Sequence, residues 1–265
     1  MSIVEYYSRQ YRWRRWSDVY PYLGDLSGAQ VVDLGCGIGD QARDLSRLGA
    51  HVFGVDGNQD VIDHAKSRGI PHARFVCCRI TDIKDNTELI SDGVWTSFTA
   101  AYFPRFDMLD RSIDSVLKPG GWLAISEVDD LFDHEPLHPR WSALIEKYYA
   151  RSIEEGIYRF QSHTHVCEVL AKRGWSIDVD RKLEDDELCF VGAASSEVLE
   201  AWRARLSFMM PRFLNRFGDE AIGFDSAFLE CLASKEHRSR SRVWFILARK
   251  DENHSFNRIN ALQNR

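Results

Sequence analysis

Three things are scarce in this chain of 265 residues, and each scarcity narrows its class. No stretch approaches the roughly 18 uninterrupted apolar residues that a membrane-spanning helix needs, so no membrane partner is expected. Positive charge is not in excess. Lys and Arg number 34 against 40 Asp and Glu, a net charge of -6, and the pI lies near 5.9, which argues against a protein that works on phosphate backbones. Nucleic acid is therefore not expected as a partner. The six cysteines (Cys36, Cys77, Cys78, Cys167, Cys189, Cys231) include no C-x-x-C pair and two are adjacent, which suits neither a zinc ribbon nor a secreted disulfide framework. Reduced thiols in a cytoplasmic protein are the expectation. The charged start MSIVEYYSRQYRWRRW, which lacks the apolar core of a signal peptide, points the same way.

What is present is apolar and patterned. At 44% hydrophobic, the chain can build one sizeable core with helical additions. Residues 4 to 23 are crowded with Tyr, Trp and Arg, and their apolar spacing predicts a leading helix that Pro21 ends. From Gln30 strands and helices alternate. AQVVDLG, HVFGVD, ARFVCC, GVWTSFT and WLAISEV read as buried strands, with helices over QARDLSRLG, QDVIDHAKSRG and MLDRSIDSVL between them. Apolar strands joined by such crossovers predict a doubly wound α/β fold with a mainly parallel sheet. The alternation breaks after Asp129, where a loop and an amphipathic helix form an insertion, and again over 195 to 235, where Val198, Trp202, Leu206, Met209 and Phe213 share a helical stripe that Pro211 kinks or splits.

The strongest local feature is VVDLGCGIGD. A strand enters a turn in which Gly35, Gly37 and Gly39 remove Cβ atoms, so a ligand can approach the backbone at the start of the next helix. The spacing is G-x-G-x-G followed by Asp40, not the dinucleotide fingerprint, and Asp33 precedes the first glycine by two residues. A carboxylate there attracts a cation and repels a pyrophosphate. Asp56 ends the second strand 21 residues beyond Gly35, and a carboxylate at about that offset can accept both hydrogen bonds of a ribose diol. The alternative is a solvated strand-end Asp. Gly57 and Asn58 follow and would border an adenine, so the site reads as nucleoside plus cationic moiety.

VVDLGCGIGD, GVDGN, DGVWTSFTAAYF and VLKPGGWLAISE resemble, in order and spacing, the successive motifs of class I S-adenosylmethionine-dependent methyltransferases. The resemblance covers about residues 25 to 130. It implies a seven-stranded, mainly parallel, Rossmann-like sheet whose last strand, SRVWFILARK, joins antiparallel. It implies S-adenosyl-L-methionine as cofactor, with Asp33, Gly35, Cys36 and Gly37 around its methionine part, Asp56 on its ribose, and Gly57 and Asn58 beside its adenine. Thr96 is expected near the methionine end and Tyr102 on the acceptor side. At the position where the family often carries an acidic residue for the adenine amino group, FVCCRITDI has Arg79, so Asp82 or the backbone near Ile80 would serve instead.

The organisation that follows is a helical lid over 1–24, a methyltransferase domain over 25–250 with helical insertions at about 130–160 and 195–236, and a flexible tail over 251–265. The basic and aromatic stretch with Arg9, Arg12, Arg14 and Arg15 reads as lid or packing in preference to a nucleic-acid face. Aromatics of the insertions (Trp141, Tyr148, Tyr149, Tyr158, Phe160, Trp202, Phe208, Phe213) suggest an enclosed pocket for a small, partly aromatic or hydrophobic methyl acceptor, with about half of them serving simply as core. His134 and His138 bracket prolines and His163 and His165 precede a helix, so no pair has the helical i, i+4 geometry with a third acidic ligand nearby, and no metal is expected. Were the acceptor a hydroxyl, its proton would need a base, and His163 and Glu127 rank above Tyr102 and His134 for that role. The alternatives left open are a protein or RNA acceptor and a non-methylating binder of the same fold; a homodimer is one option for the assembly.

Overall fold

The computed structural model describes residues 2–103, 106–155, 160 and 162–250, except the Tyr102 side chain, and the expected tail over 251–265 lies outside them. Five strands form the parallel part of the sheet: β1 Gln30–Leu34, β2 His51–Asp56, β3 Ala73–Cys77, β4 Ser91–Ser97 and β5 Leu117–Asp129. Crossing between them are α2 Asp40–Arg47, α3 Gln59–Ser67, the short α4 Ile83–Asn86 and α5 Phe106–Val116, while α1 Ile3–Ser8 precedes them all. Beyond β5 come β6 His134–Glu135, α6 Pro139–Glu154, α7 His163–Lys172, β7 Trp175–Lys182, α8 Ser196–Phe217, α9 Phe224–Ala233, β8 Arg238–Ser239 and β9 Arg242–Lys250.

The seven-stranded sheet runs in the order β3-β2-β1-β4-β5-β9-β7. Its first five strands are parallel, and β9 inserts antiparallel between β5 and β7. This is the Rossmann-like arrangement expected, and its order reverses between β1 and β4, where a doubly wound sheet collects ligands outside the carboxyl ends of its strands. Val31, Val32, Leu34, Val94, Leu123 and Ile125 are fully buried, as strands covered on both faces must be. One layer of the core holds α5, α7 and their sheet face; the other is continuous with α6, α8 and α9.

Three local expectations change. The leading segment forms only α1 and three single 3-10 turns, Tyr11–Trp13, Trp16–Asp18 and Tyr20–Leu23. Trp16 and Val19 are buried in the core and Trp16 packs edge-on against Trp95 at 5.7 Å, so the chain follows the sheet surface instead of a helical period, and Pro21 opens a turn rather than ending a helix. LKPGG, expected between helix and strand, lies inside β5 as an irregularity: Ser91 faces Leu117, then Gly93 faces Trp122. A Cβ on Gly93 would overlap the Trp122 ring, so that glycine is required by packing. Pro211 neither splits nor ends α8, which continues to Phe217.

Candidate functional site

The loops after β1, β2, β3 and β4 converge on one cavity of about 1200 Å³ that also reaches the N-terminal segment, α6 and α8. Clefts for drug-sized ligands span roughly 300–1,000 Å³, so this one has room for two small molecules side by side. Gly35 (φ +75°) and Gly37 (φ +49°) line it, in backbone conformations that L side chains rarely adopt. The Gly35 and Cys36 amides donate to the Val55 carbonyl at 2.8 and 3.0 Å, which ties the turn to β2. Asp56 reinforces it: its carboxylate accepts the Gly37 amide at 3.0 Å and the Asn58 amide at 2.9 Å while still lining the cavity. Burial raises the Asp56 carboxyl against those amides. Cys36 is buried beneath the turn, and burial together with the charges of Asp33 and Asp56 holds its thiol well above the usual range, which leaves it inert.

Gly57, Asn58, Arg79 and Ile80 border the same cavity. Asn58 also caps α3, its side chain accepting from the Asp60 amide at 2.9 Å. Asp33 lies behind the glycine turn rather than in the cavity wall. It is 2% exposed, its Oδ2 has no hydrogen-bond partner among the described residues, and burial first and the charge of Asp56 second push its carboxyl up to about 8. Thr96 requires a correction. Side chains alternate along a strand, and Thr96, in register with Leu34, is buried and does not line the cavity; from this strand end Ser97, Phe98 and Thr99 do.

Glu127, at the end of β5, does reach the cavity. It is 2% exposed and its Oε1 accepts the Ala100 amide at 2.6 Å. Burial outweighs the help of the Ala100, Thr99 and Ala101 amides and pushes its carboxyl up to about 8. Glu127 is thus the anchor of the loop after β4 as well as a titrating group in the wall. Tyr102 has its backbone in the turn Ala100–Tyr102, and its side chain lies outside the described residues.

His163 is corrected as a base candidate. It starts α7, its ring packs edge-on against Trp244 at 5.2 Å, and its Nε2 lies 2.8 Å from Asp180 Oδ1, away from the cavity wall. The Asp129 carboxylate takes the amide of His163 and so fixes the helix start there. His163, Cys167 and Asp180 bring ligand-type atoms within 4.8 Å of one another, with the Arg242 guanidinium 3.7 Å from Asp180. His134 is buried against His237 (2.8 Å), and burial holds it at about 3, so it too is structural.

Of the insertion aromatics, Tyr148, Phe160, Phe208 and Phe213 line the cavity, Trp141, Tyr149 and Trp202 belong to the core alone, and Tyr158 lies outside the described residues. Sequence reasoning gave no cavity role to Gln10 or to the arginines of α8. Arg14 it noted only as part of a basic stretch. That residue is 7% exposed, lines the cavity, stacks 3.9 Å from the Phe98 ring and pairs with Asp185 at 3.0 Å, while its Nη2 has no hydrogen-bond partner among the described residues. The signal available was spacing: Arg205, Arg212 and Arg216 recur at seven and four residues, one face of a helix.

Residues 32–125 match the methyltransferase domain family (Methyltransf_11). Over these residues the chain carries a methyltransferase domain of the class I S-adenosylmethionine-dependent kind. Among curated relatives of this methyltransferase is the ubiquinone biosynthesis O-methyltransferase of Xanthomonas oryzae pv. oryzae, strain PXO99A, 27% identical over 188 residues that cover 69% of this chain and 72% of the relative. Among solved structures, phosphoethanolamine N-methyltransferase 2 of Haemonchus contortus in complex with S-adenosyl-L-methionine superposes with a TM-score of 0.54 at 21% identity, over 89% of this chain and 52% of that one, so the chain spans about half its length. The [4+2]-cyclase SpnF is similar to the same degree (TM-score 0.55, 21% identity, 89% and 80% coverage), a likeness of fold alone. The methyl donor of the methyltransferase is S-adenosyl-L-methionine. Its own residues fit that cofactor: the orphaned buried Asp33 oxygen behind the glycine turn suits a cation, and the Asp56 carboxylate, which lines the cavity, suits a diol. No helix among the described residues is long and apolar enough to cross a membrane.

Proposed function

We propose that the protein transfers the methyl group of S-adenosylmethionine to a small, partly aromatic or hydrophobic acceptor held in the same cavity. The observation that carries this reading is the continuity of that cavity, from Gly37 and Asp56 at one end to Phe208 and Phe213 of α8 at the other. When bound, the cofactor supplies a methyl group already activated on a sulfonium, so alignment in a water-poor site accounts for much of the rate. The residues then divide the work. Gly35, Cys36 and Gly37 admit the methionine part against bare backbone, with Asp33 contributing negative charge from behind. Arg14, whose buried Nη2 lacks a partner among the described residues, takes the carboxylate. Asp56 accepts the ribose hydroxyls, and Gly57, Asn58, Arg79 and Ile80 border the adenine. Residues 1–24 act as the lid, since Tyr7, Tyr11 and Arg14 already form one wall. Among the base candidates whose side chains are described, Glu127 is the one in the wall, and it can take a hydroxyl proton once the cofactor's charge draws its carboxyl into the ionised form.

The test is methyl-labelled S-adenosylmethionine incubated with the protein and a cell extract separated into small-molecule, protein and RNA fractions. Label is expected in a small molecule extractable into organic solvent. Label confined to protein or RNA overturns the acceptor class, and tight cofactor binding with no formation of S-adenosylhomocysteine overturns methyl transfer itself.

A further inference from the structure

The two ends of the cavity differ in their ionisable side chains. At the cofactor end Asp56 and Glu127 line the wall together with Arg14 and Arg79, and Asp33 lies behind it. At the other, one face of α8 presents Arg205, Arg212 and Arg216 with Phe208 and Phe213 between them. Arg205 is buried and committed to Glu187, at 2.6 Å. Glu155 serves two guanidiniums at once, Arg216 at 2.6 Å and Arg151 at 3.5 Å. Arg212 has no acidic partner among the described residues. Of three cavity-lining guanidiniums, Arg151 and Arg216 therefore share the single Glu155 carboxylate and Arg212 has none among the described residues, in a chain whose net charge is -6. A local cationic surplus against an acidic background, inside a concave wall that focuses its field, is a feature of the site and not of the composition.

Resting on the methyl-transfer reading above, we propose that the acceptor is an anion: an apolar, ring-sized body seated on Phe208 and Phe213, with a carboxylate or phosphate held by Arg212 and Arg216. A guanidinium presents its N–H donors in a fixed planar fork that matches two oxygens of either group, and it does so with little loss of freedom on binding. That placement also sets the orientation. An anionic group is drawn to α8, at the far end of the cavity from Asp56, which turns the uncharged end of the acceptor toward the methyl donor. A cationic or neutral acceptor gains nothing from this arrangement.

The experiment uses the full chain saturated with S-adenosylhomocysteine and a panel of phenylalkyl probes in matched sets of carboxylate, phosphate monoester and neutral alcohol, read by calorimetry and thermal shift. At least one anionic member is expected to bind tenfold or more tightly than its alcohol, with the preference shrinking as salt is raised from 50 to 300 mM, and the ranking of carboxylate against phosphate identifies which group the site takes. Arg212→Gln, at an exposed position outside the core, is expected to abolish the preference without changing alcohol or S-adenosylhomocysteine affinity, and Arg212→Lys to restore part of it. Equal binding within each set, binding by no probe, or a preference that survives Arg212→Gln overturns the proposal. Failure of S-adenosylhomocysteine itself to bind overturns the methyl-transfer reading instead, so the two failures are told apart.

Discussion

The cofactor end of the cavity and its α8 end are built by different physics. The first consists of strand-end loops, residues 35–37, 56–58 and 79–81, each placed by the strand immediately before it. The second brings residues of the N-terminal segment against α8, as in the stacking of Tyr6 on Phe208 at 5.4 Å and the pairing of Arg12 with Glu197 at 3.1 Å. Its backing is an aromatic cluster around Phe132, which meets Trp202, Phe213, Phe224 and Phe228 at 6.4, 5.5, 5.7 and 5.6 Å. Local geometry can be written in a motif of ten residues. A wall assembled from distant segments is written only in the whole core.

The largest expected effect breaks the local half outright. In Gly35→Val, a side chain would overlap Thr99 and force a β-branched residue to φ +75°. Strain of roughly 1–3 kcal/mol and overpacking of roughly 1–3 kcal/mol add, so the melting temperature should fall by about 6 °C or more and cofactor binding should vanish. Gly37→Val meets only the Tyr7 ring at 3.5 Å, so it should fold better than Gly35→Val and still lose the cofactor. Equal melting temperatures for the two variants would show that the turn is not pinned against Thr99.

Next in size is Asp56→Ala. It removes the acceptor of the Gly37 and Asn58 amides together with the proposed ribose contacts. Calorimetry should give a loss of about 1.5–3 kcal/mol for both S-adenosylmethionine and S-adenosylhomocysteine, with Asp56→Asn between that and wild type. Unchanged affinity in the Ala variant would remove the nucleoside from this end of the cavity.

How much of this was legible depends on the same division. The succession of strands and helices, the glycine turn and the places of Asp56 and Asn58 beside it were readable because each rests on nearest-neighbour chemistry. Thr96 was misread by one step of strand alternation, a shift that moves a side chain from one face of the sheet to the other. The leading helix was misread because Trp16 and Val19 gain more from the core than a helical period offers. The arginines of α8 were in plain view, yet a stripe of Val198, Trp202 and Leu206 on the same helix draws attention to the core face, and only the packed structure separates the two faces.

A smaller effect sharpens the contrast in charge. Asp33 and Glu127 are held at about 8 by burial, far above the ordinary carboxylate range. Between that range and pH 8 the folded chain binds more protons than the unfolded one, so the stability from these groups is complete at low pH and is lost as pH rises through about 8. A cationic ligand needs them ionised. Cofactor affinity should therefore rise from pH 6 to 9 while the melting temperature of the free protein falls, and binding near pH 7 should release protons, measurable as a buffer-dependent heat. Glu127→Gln should flatten both trends in part. Affinity independent of pH would mean that neither carboxyl meets the cofactor's charge.

The smallest expected effect is His163→Ala, and it separates position in sequence from position in the site. A histidine at the start of the helix after the first insertion looked suited to face inward, but its ring is spent on Trp244 and Asp180. Truncation loses that half-buried packing and the polar contact to Asp180, together about 1 kcal/mol. Turnover and cofactor affinity should stay within twofold of wild type across pH 6 to 9, whereas Glu127→Gln changes both. A variant that binds cofactor normally yet loses turnover tenfold or more would restore His163 to the chemistry. That result would require α7 to swing its first turn away from Asp129, whose carboxylate now holds the Ser162 amide at 2.7 Å.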